Sequence, residues 1–128
     1  MRLLLDTHVL LWVMTNDAAL SLTARETISK ATVVYASAVS IWEVSIKAAL
    51  GKLKLDQDRF MKALPATGFE PLPVTWEHAD AIHRLPVYHR DLFDRMLIAQ
   101  APHDQRAHPG QTNGEKYQVL RHHLASQI

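Results

Sequence analysis

Three carboxylates stand in surroundings that are otherwise apolar. Asp6 lies between "LLL" and "THVLLW", Glu43 lies inside "SIWEVSIKAAL", and Asp94 sits between Phe93 and "RMLIA". Burying a carboxylate is costly unless something compensates its charge, so such residues need a base, hydrogen-bond donors or a metal ion. One carboxylate at a strand end and others on helices can converge on a hard divalent cation. A carboxylate set without cysteine favours Mg²⁺ or Mn²⁺ over zinc. A cation so held would activate water and neutralise charge developing on a phosphodiester.

Plainer roles exist for each residue taken singly. Asp6 is well placed to cap the helix that follows it. Glu43 has Lys47 four residues on, a favourable helical ion pair. Asp94 shares a helix face with Asp91 and has Arg90 at i−4. It is the three together that suggest a metal site.

The elements that must position them alternate in type. "RLLLD" is a short apolar run consistent with a buried strand, and "HVLLWVMTND" has helical length and spacing. "SLTARETISKA" opens on a cap signal, Thr23 with Glu26 three residues later. "TVVYAS" reads as a second strand and "SIWEVSIKAALGKLKL" as a helix stopped by Gly51. "DQDRFMKALPATGF" is a capped helix ended by Pro65, "EPLPV" a short edge strand, "TWEHADAIHRLP" a helix closed by Pro86, and "DLFDRMLIAQA" a further helix. This alternation predicts an α/β domain with a largely parallel sheet, whose working end is the carboxyl end of the strands. Asp6 falls at that end.

The bulk numbers allow one domain over 1–128, with 48% apolar and 21% charged residues, a globular composition. A net charge of +1 gives no global case for nucleic acid, so any basic contact must be local. There are no cysteines, which excludes disulfides, zinc ribbons and thiol catalysis. "VLLWVM" is far shorter than the roughly 20 residues of a bilayer span. Asp6 and His8 interrupt the early apolar run and no small-residue cleavage site follows, so a cytoplasmic protein with no membrane association is expected. None of the eight histidines makes the i, i+4 pair with a catalytic Glu of zinc hydrolases. Trp12, Trp42 and Trp76 are expected to serve core or dimer packing.

"RLLLDTHVLLW", "ASAVSIWEVSIKAALGKLKL", "GFEPLPVTWEHA" and "LPVYHRDLFDRMLIAQA" together closely resemble the VapC-type PIN-domain toxins, over residues 1 to 101. The resemblance implies an α/β/α sandwich around a parallel sheet, usually dimeric, acting as a divalent-metal-dependent endoribonuclease held inactive by a cognate antitoxin. By motif match the acids on Mg²⁺ or Mn²⁺ are Asp6, Glu43 and Asp94, with Asp91 as an auxiliary ligand. Thr7 would orient Asp6 or a phosphate, and Ser40 would hydrogen-bond within the site. RNA contact would fall to Lys47, Lys52, Lys54, Arg90 and Arg95, whose charges neutralise phosphates; a solvated helix face explains the same residues.

The likeness breaks after residue 101. There the family places a connector, a buried strand and a fourth acid, whereas this chain has "PHDQRAHPGQ", whose prolines and glycine exclude a central strand. "TNGEKYQV" resembles the segment after that strand, with Gly114 where the acid belongs and Glu115 one position off. Permitted codons for 102–111, read one base later, spell "RMTNEPTLV", which looks like the missing connector and strand; a local frameshift is therefore an expectation that the coding DNA tests. A core strand lost or disrupted around 102–116 would leave an irregular tract there, with 117–128 as a tail returning as a short strand or helix. The rival reading follows: a degenerate PIN-domain protein that binds antitoxin or dimerises without cleaving RNA.

Overall fold

The computed structural model describes residues 1–85, 91–101 and 118–121. In chain order the elements are β1 (Arg2–Leu5), α1 (Thr7–Thr15), α2 (Leu22–Lys30), β2 (Val33–Ser37), α3 (Ala38–Ala49), α4 (Gln57–Ala66), β3 (Glu70–Leu72), α5 (Trp76–Ala81) with a 3-10 turn over Ile82–Arg84, α6 (Leu92–Gln100) and β4 (Gln118–Leu120). The strands form one sheet in the order β3-β2-β1-β4. Every pairing is parallel, with Leu4 opposite Tyr35, Ser37 opposite Leu72 and Leu5 opposite Leu120.

A central parallel strand is covered on both faces, which is why β1 is a run of leucines rather than an alternation. Successive side chains point to opposite faces. Leu3 and Leu5 join Val9, Leu10, Ala24, Phe60 and Leu64 in one cluster, under α1, α2 and α4. Leu4 joins Val39, Leu72 and Leu97 in the other, under α6. The result is a layered α/β/α arrangement, as expected from the alternation of elements.

Several boundaries are set by caps. Ser21, not Thr23, caps α2, accepting from the Ala24 amide; the Thr23 hydroxyl does not serve as the cap because Thr23 is already helical. Asp56 caps α4. That helix continues to Ala66, one residue past Pro65, where the expected stop falls instead on Thr67 and Gly68. Gly51 ends the α3 turn at φ 74°, a left-handed conformation that costs glycine little. Of the tryptophans, Trp12 packs against the larger cluster. Trp42 and Trp76 are exposed, 59% and 91%, and do not belong to the core.

The tract 102–116, with Gly114 and Glu115, lies outside the described residues, as do Arg90 and 122–128. The resemblance expects a buried strand after "LIAQA"; the strand observed beside β1 is three residues from further along, Gln118–Leu120. Val119 leans on the α6-side cluster and Leu120 on the other, so this short strand keeps the period of two that its place demands. Among the described residues, no helix is long and apolar enough to cross a membrane.

Candidate active site

All four strands run the same way, so the residues that follow them gather at one end of the sheet. Asp6 is the residue after β1. It is 2% exposed, and its Oδ1 accepts a 2.9 Å hydrogen bond from the Val9 amide. The cap role is thus real, and it also holds the carboxylate at the strand end. Thr7, buried in the first turn of α1, donates through Oγ1 to Ser40 Oγ at 3.0 Å. Ser40 is one helical turn before Glu43, so this bond seats the Glu43 turn against the start of α1.

Glu43 is buried, and its Oε2 receives Lys47 Nζ at 2.6 Å, the i, i+4 pair the spacing predicts. Asp91 caps α6: its Oδ1 accepts from the amides of Phe93 and Asp94 at 2.9 and 3.3 Å. That fixes the first turn of α6, which carries Asp94. Asp94 Oδ2 receives Arg121 Nη2 at 2.7 Å, from the residue after β4.

A cavity of about 170 Å³ at this end is lined by Asp6, Thr7, His8, Glu43, Asp91, Asp94 and Leu97. The structure therefore brings four of the expected acids and Thr7 to one space, with Ser40 directly behind. Lys47 reaches it through Glu43. Lys52 and Lys54 are exposed beyond the end of α3 and do not line the cavity. Arg95 is turned elsewhere, donating from Nη2 to the Ile82 carbonyl at 3.1 Å, because its place on α6 faces the 3-10 turn.

Four residues matter here that the sequence did not single out. His8 is exposed at the cavity, its ring edge-on to Trp12 at 6.4 Å; its place in "DTH", two residues after Asp6, is its only signal. Arg121 gave none, since only the pairing of β4 carries it here. Ser37 and Gln100 form the third support. Ser37 Oγ donates to Gln100 Oε1, and Gln100 Nε2 donates to the Pro73 carbonyl at 3.2 Å. Both side chains are fully buried, and they tie the end of α6 to the end of β2. A polar residue closing the apolar run "MLIAQ" was the available hint.

The four acids suit a hard divalent ion, their carboxylates drawn from the end of β1, from α3 and from the start of α6 and lining one small cavity with Thr7 and His8. As they stand, no three of the described His, Asp or Glu groups form a ready ligand cluster. The geometry accounts for this, because Glu43 and Asp94 are each turned toward a basic side chain. The acids fit the ion in kind and number, and binding it through Glu43 Oε2 and Asp94 Oδ2 would open those two pairs.

No curated protein and no solved structure matches the chain. The PIN domain family model matches residues 3–108, a span that includes every one of the four acids. PIN domains are generally nucleases, typically dependent on divalent metal ions. With that match over most of its length, on an all-parallel sheet whose carboxyl end carries an acid-lined cavity, this chain belongs to the PIN domain family.

Proposed function

We propose that this protein is the toxin of a toxin–antitoxin pair, an endoribonuclease that hydrolyses RNA phosphodiester bonds with Mg²⁺ or Mn²⁺. The observation that carries the reading is the convergence of Asp6, Glu43, Asp91 and Asp94 on one cavity at the carboxyl end of the sheet. Asp6, Glu43 and Asp94 would hold the ion, with Asp91 assisting. When bound, the ion supplies an activated water and neutralises charge on the phosphate. The chain's own residues do the positioning: Val9 holds the Asp6 carboxylate, and Thr7 with Ser40 keeps the first turns of α1 and α3 together. Lys47, Lys52 and Lys54 would meet the RNA backbone, and Arg90 and Arg95 remain further phosphate contacts in this reading. For Arg95 that contact requires release from Ile82.

A protein partner is supported by α3. Trp42, Ile46 and Leu50 recur every fourth residue on it and are all exposed, with Leu92 of α6 exposed as well. Trp42 meets Phe93 edge-on at 5.1 Å, joining the two helices under that surface. Apolar surface of this kind suits the cognate antitoxin or a second copy of the chain. The place of action in this reading is the cytoplasm, in keeping with a chain that uses no cysteine.

The second reading, a non-catalytic protein that keeps only its partners, is favoured by the basic side chains on Glu43 and Asp94. One experiment separates the two. The purified chain is incubated with a mixture of structured RNAs and Mn²⁺ or Mg²⁺, then with chelator, beside Asp6→Asn. Cleavage lost with chelator and in the variant is expected; a folded chain that cleaves nothing supports the non-catalytic reading.

A further inference from the structure

The residue after β4 is an arginine, seven positions beyond Gly114, where the resemblance expects the fourth acid. Leu120 pairs in parallel with Leu5, and the Asp6 amide donates to the Leu120 carbonyl at 3.0 Å. Asp6 and Arg121 therefore leave the sheet side by side. Arg121 does not turn to solvent: its Nη2 lies 2.7 Å from Asp94 Oδ2, with side chains 28% and 23% exposed. Among the described residues, its Nε has no hydrogen-bond partner although it is buried.

We infer that Arg121 is a tethered counter-ion of the active site, occupying the place of a second cation and competing with the divalent ion for Asp94. This rests on the metal-site reading above and deepens it. The two ion pairs at the cavity differ in kind. Lys47 and Glu43 are neighbours on one helix, the lysine 42% and the glutamate 6% exposed, so the ammonium can swing into water without moving the backbone. Arg121 and Asp94 are 27 residues apart, on different elements, and both partly buried. A guanidinium presents a fixed fork that suits a carboxylate better than an ammonium does. A divalent ion that takes Asp94 through Oδ2 displaces that guanidinium, so its apparent affinity is lowered by the stability of the pair. Because the positive charge is built into the chain, the cavity takes one divalent ion.

The test is Mn²⁺ binding to the full chain, followed by titration calorimetry and by the electron paramagnetic resonance signal of free Mn²⁺, with no activity measured. Wild type is expected to bind one ion per chain. Arg121→Gln should bind it at least about tenfold more tightly, a change of about 1.4 kcal/mol. Arg121→Lys keeps the charge but loses the fork, so it should fall between the two. Arg59→Gln removes the same charge from the exposed face of α4 and should leave affinity unchanged. Circular dichroism confirms folding; if Arg121→Gln does not fold, the step from wild type to Arg121→Lys decides. Equal or weaker binding by the Arg121 variants overturns this inference alone, as does a second ion in wild type. Absence of Mn²⁺ binding in wild type and every variant overturns both this inference and the metal-site reading beneath it.

Discussion

Thr7 and Ser40, 33 residues apart in sequence, share a buried 3.0 Å hydrogen bond between the first turns of α1 and α3. The bond sits between the two deepest acids of the cavity, next to Asp6 on one side and one turn before Glu43 on the other. Removing either hydroxyl leaves its partner buried without its mate, a loss of about 1–3 kcal/mol. Thr7→Val and Ser40→Ala should each lower the denaturant midpoint. The double variant should lose less than the sum, which a double-mutant cycle reads directly. Metal-dependent cleavage should fall by about 10–100-fold in each single variant, the usual effect of losing a group that orients ligands.

Asp6 combines a cap with a candidate metal ligand, and substitution can part the two. Asn caps a helix about as well as Asp, so Asp6→Asn should melt within a few tenths of a kcal/mol of wild type. Asp6→Ala loses the bond to the Val9 amide and should be about 1 kcal/mol less stable. Both should lose metal-dependent cleavage. An Asp6→Asn protein that cleaves RNA at the wild-type rate would remove Asp6 from the ligand set.

Gln100 is only 1% exposed and serves Ser37 and Pro73 at once. Gln100→Leu keeps the bulk but removes the acceptor of the buried Ser37 hydroxyl, whose oxygen keeps only the Val39 amide, and one of the donors to the Pro73 carbonyl. The expected cost is about 1 kcal/mol or more, measured by chemical denaturation. A neutral result would show that both groups find other partners when the amide is gone.

His78 makes stability depend on pH. It is 5% exposed, its Nδ1 accepts from the Thr75 amide at 3.1 Å, and Gln100 Nε2 stands 3.5 Å away. Burial holds its pKa below the ordinary 6.5, against the opposing pull of the Glu77 carboxylate and of a hydrogen bond with the Pro73 backbone. The unfolded chain therefore binds this proton more readily than the folded one. The contribution is fully present above the unfolded value of 6.5 and is lost as pH falls from there through the lowered folded pKa. Thermal melts should show wild type losing stability over that window, and His78→Gln should flatten the loss. Parallel curves for the two proteins would mean that another group is responsible.

Local patterning was enough to read the layered fold and the acids. Three leucines running into Asp6 fit a buried parallel strand with the carboxylate at its working end. The i, i+4 pair of Glu43 and Lys47 follows from helical geometry whatever the rest of the chain does. Asp91 and Asp94 belong together for the same reason, one capping the turn that carries the other. Long-range contacts escaped such reading. Nothing in the order of residues says that Gln100 meets Ser37 from 63 positions away, or that Arg95 turns to the Ile82 carbonyl. The partner of Asp94 was sought at Arg90, one helical turn before it, because helix spacing is all that a sequence exposes. Arg121 meets Asp94 across 27 positions because three residues, Gln118–Leu120, pair beside Leu3–Leu5. Backbone hydrogen bonds between strands carry no local signature, so only the assembled sheet could put the Arg121 guanidinium beside Asp94.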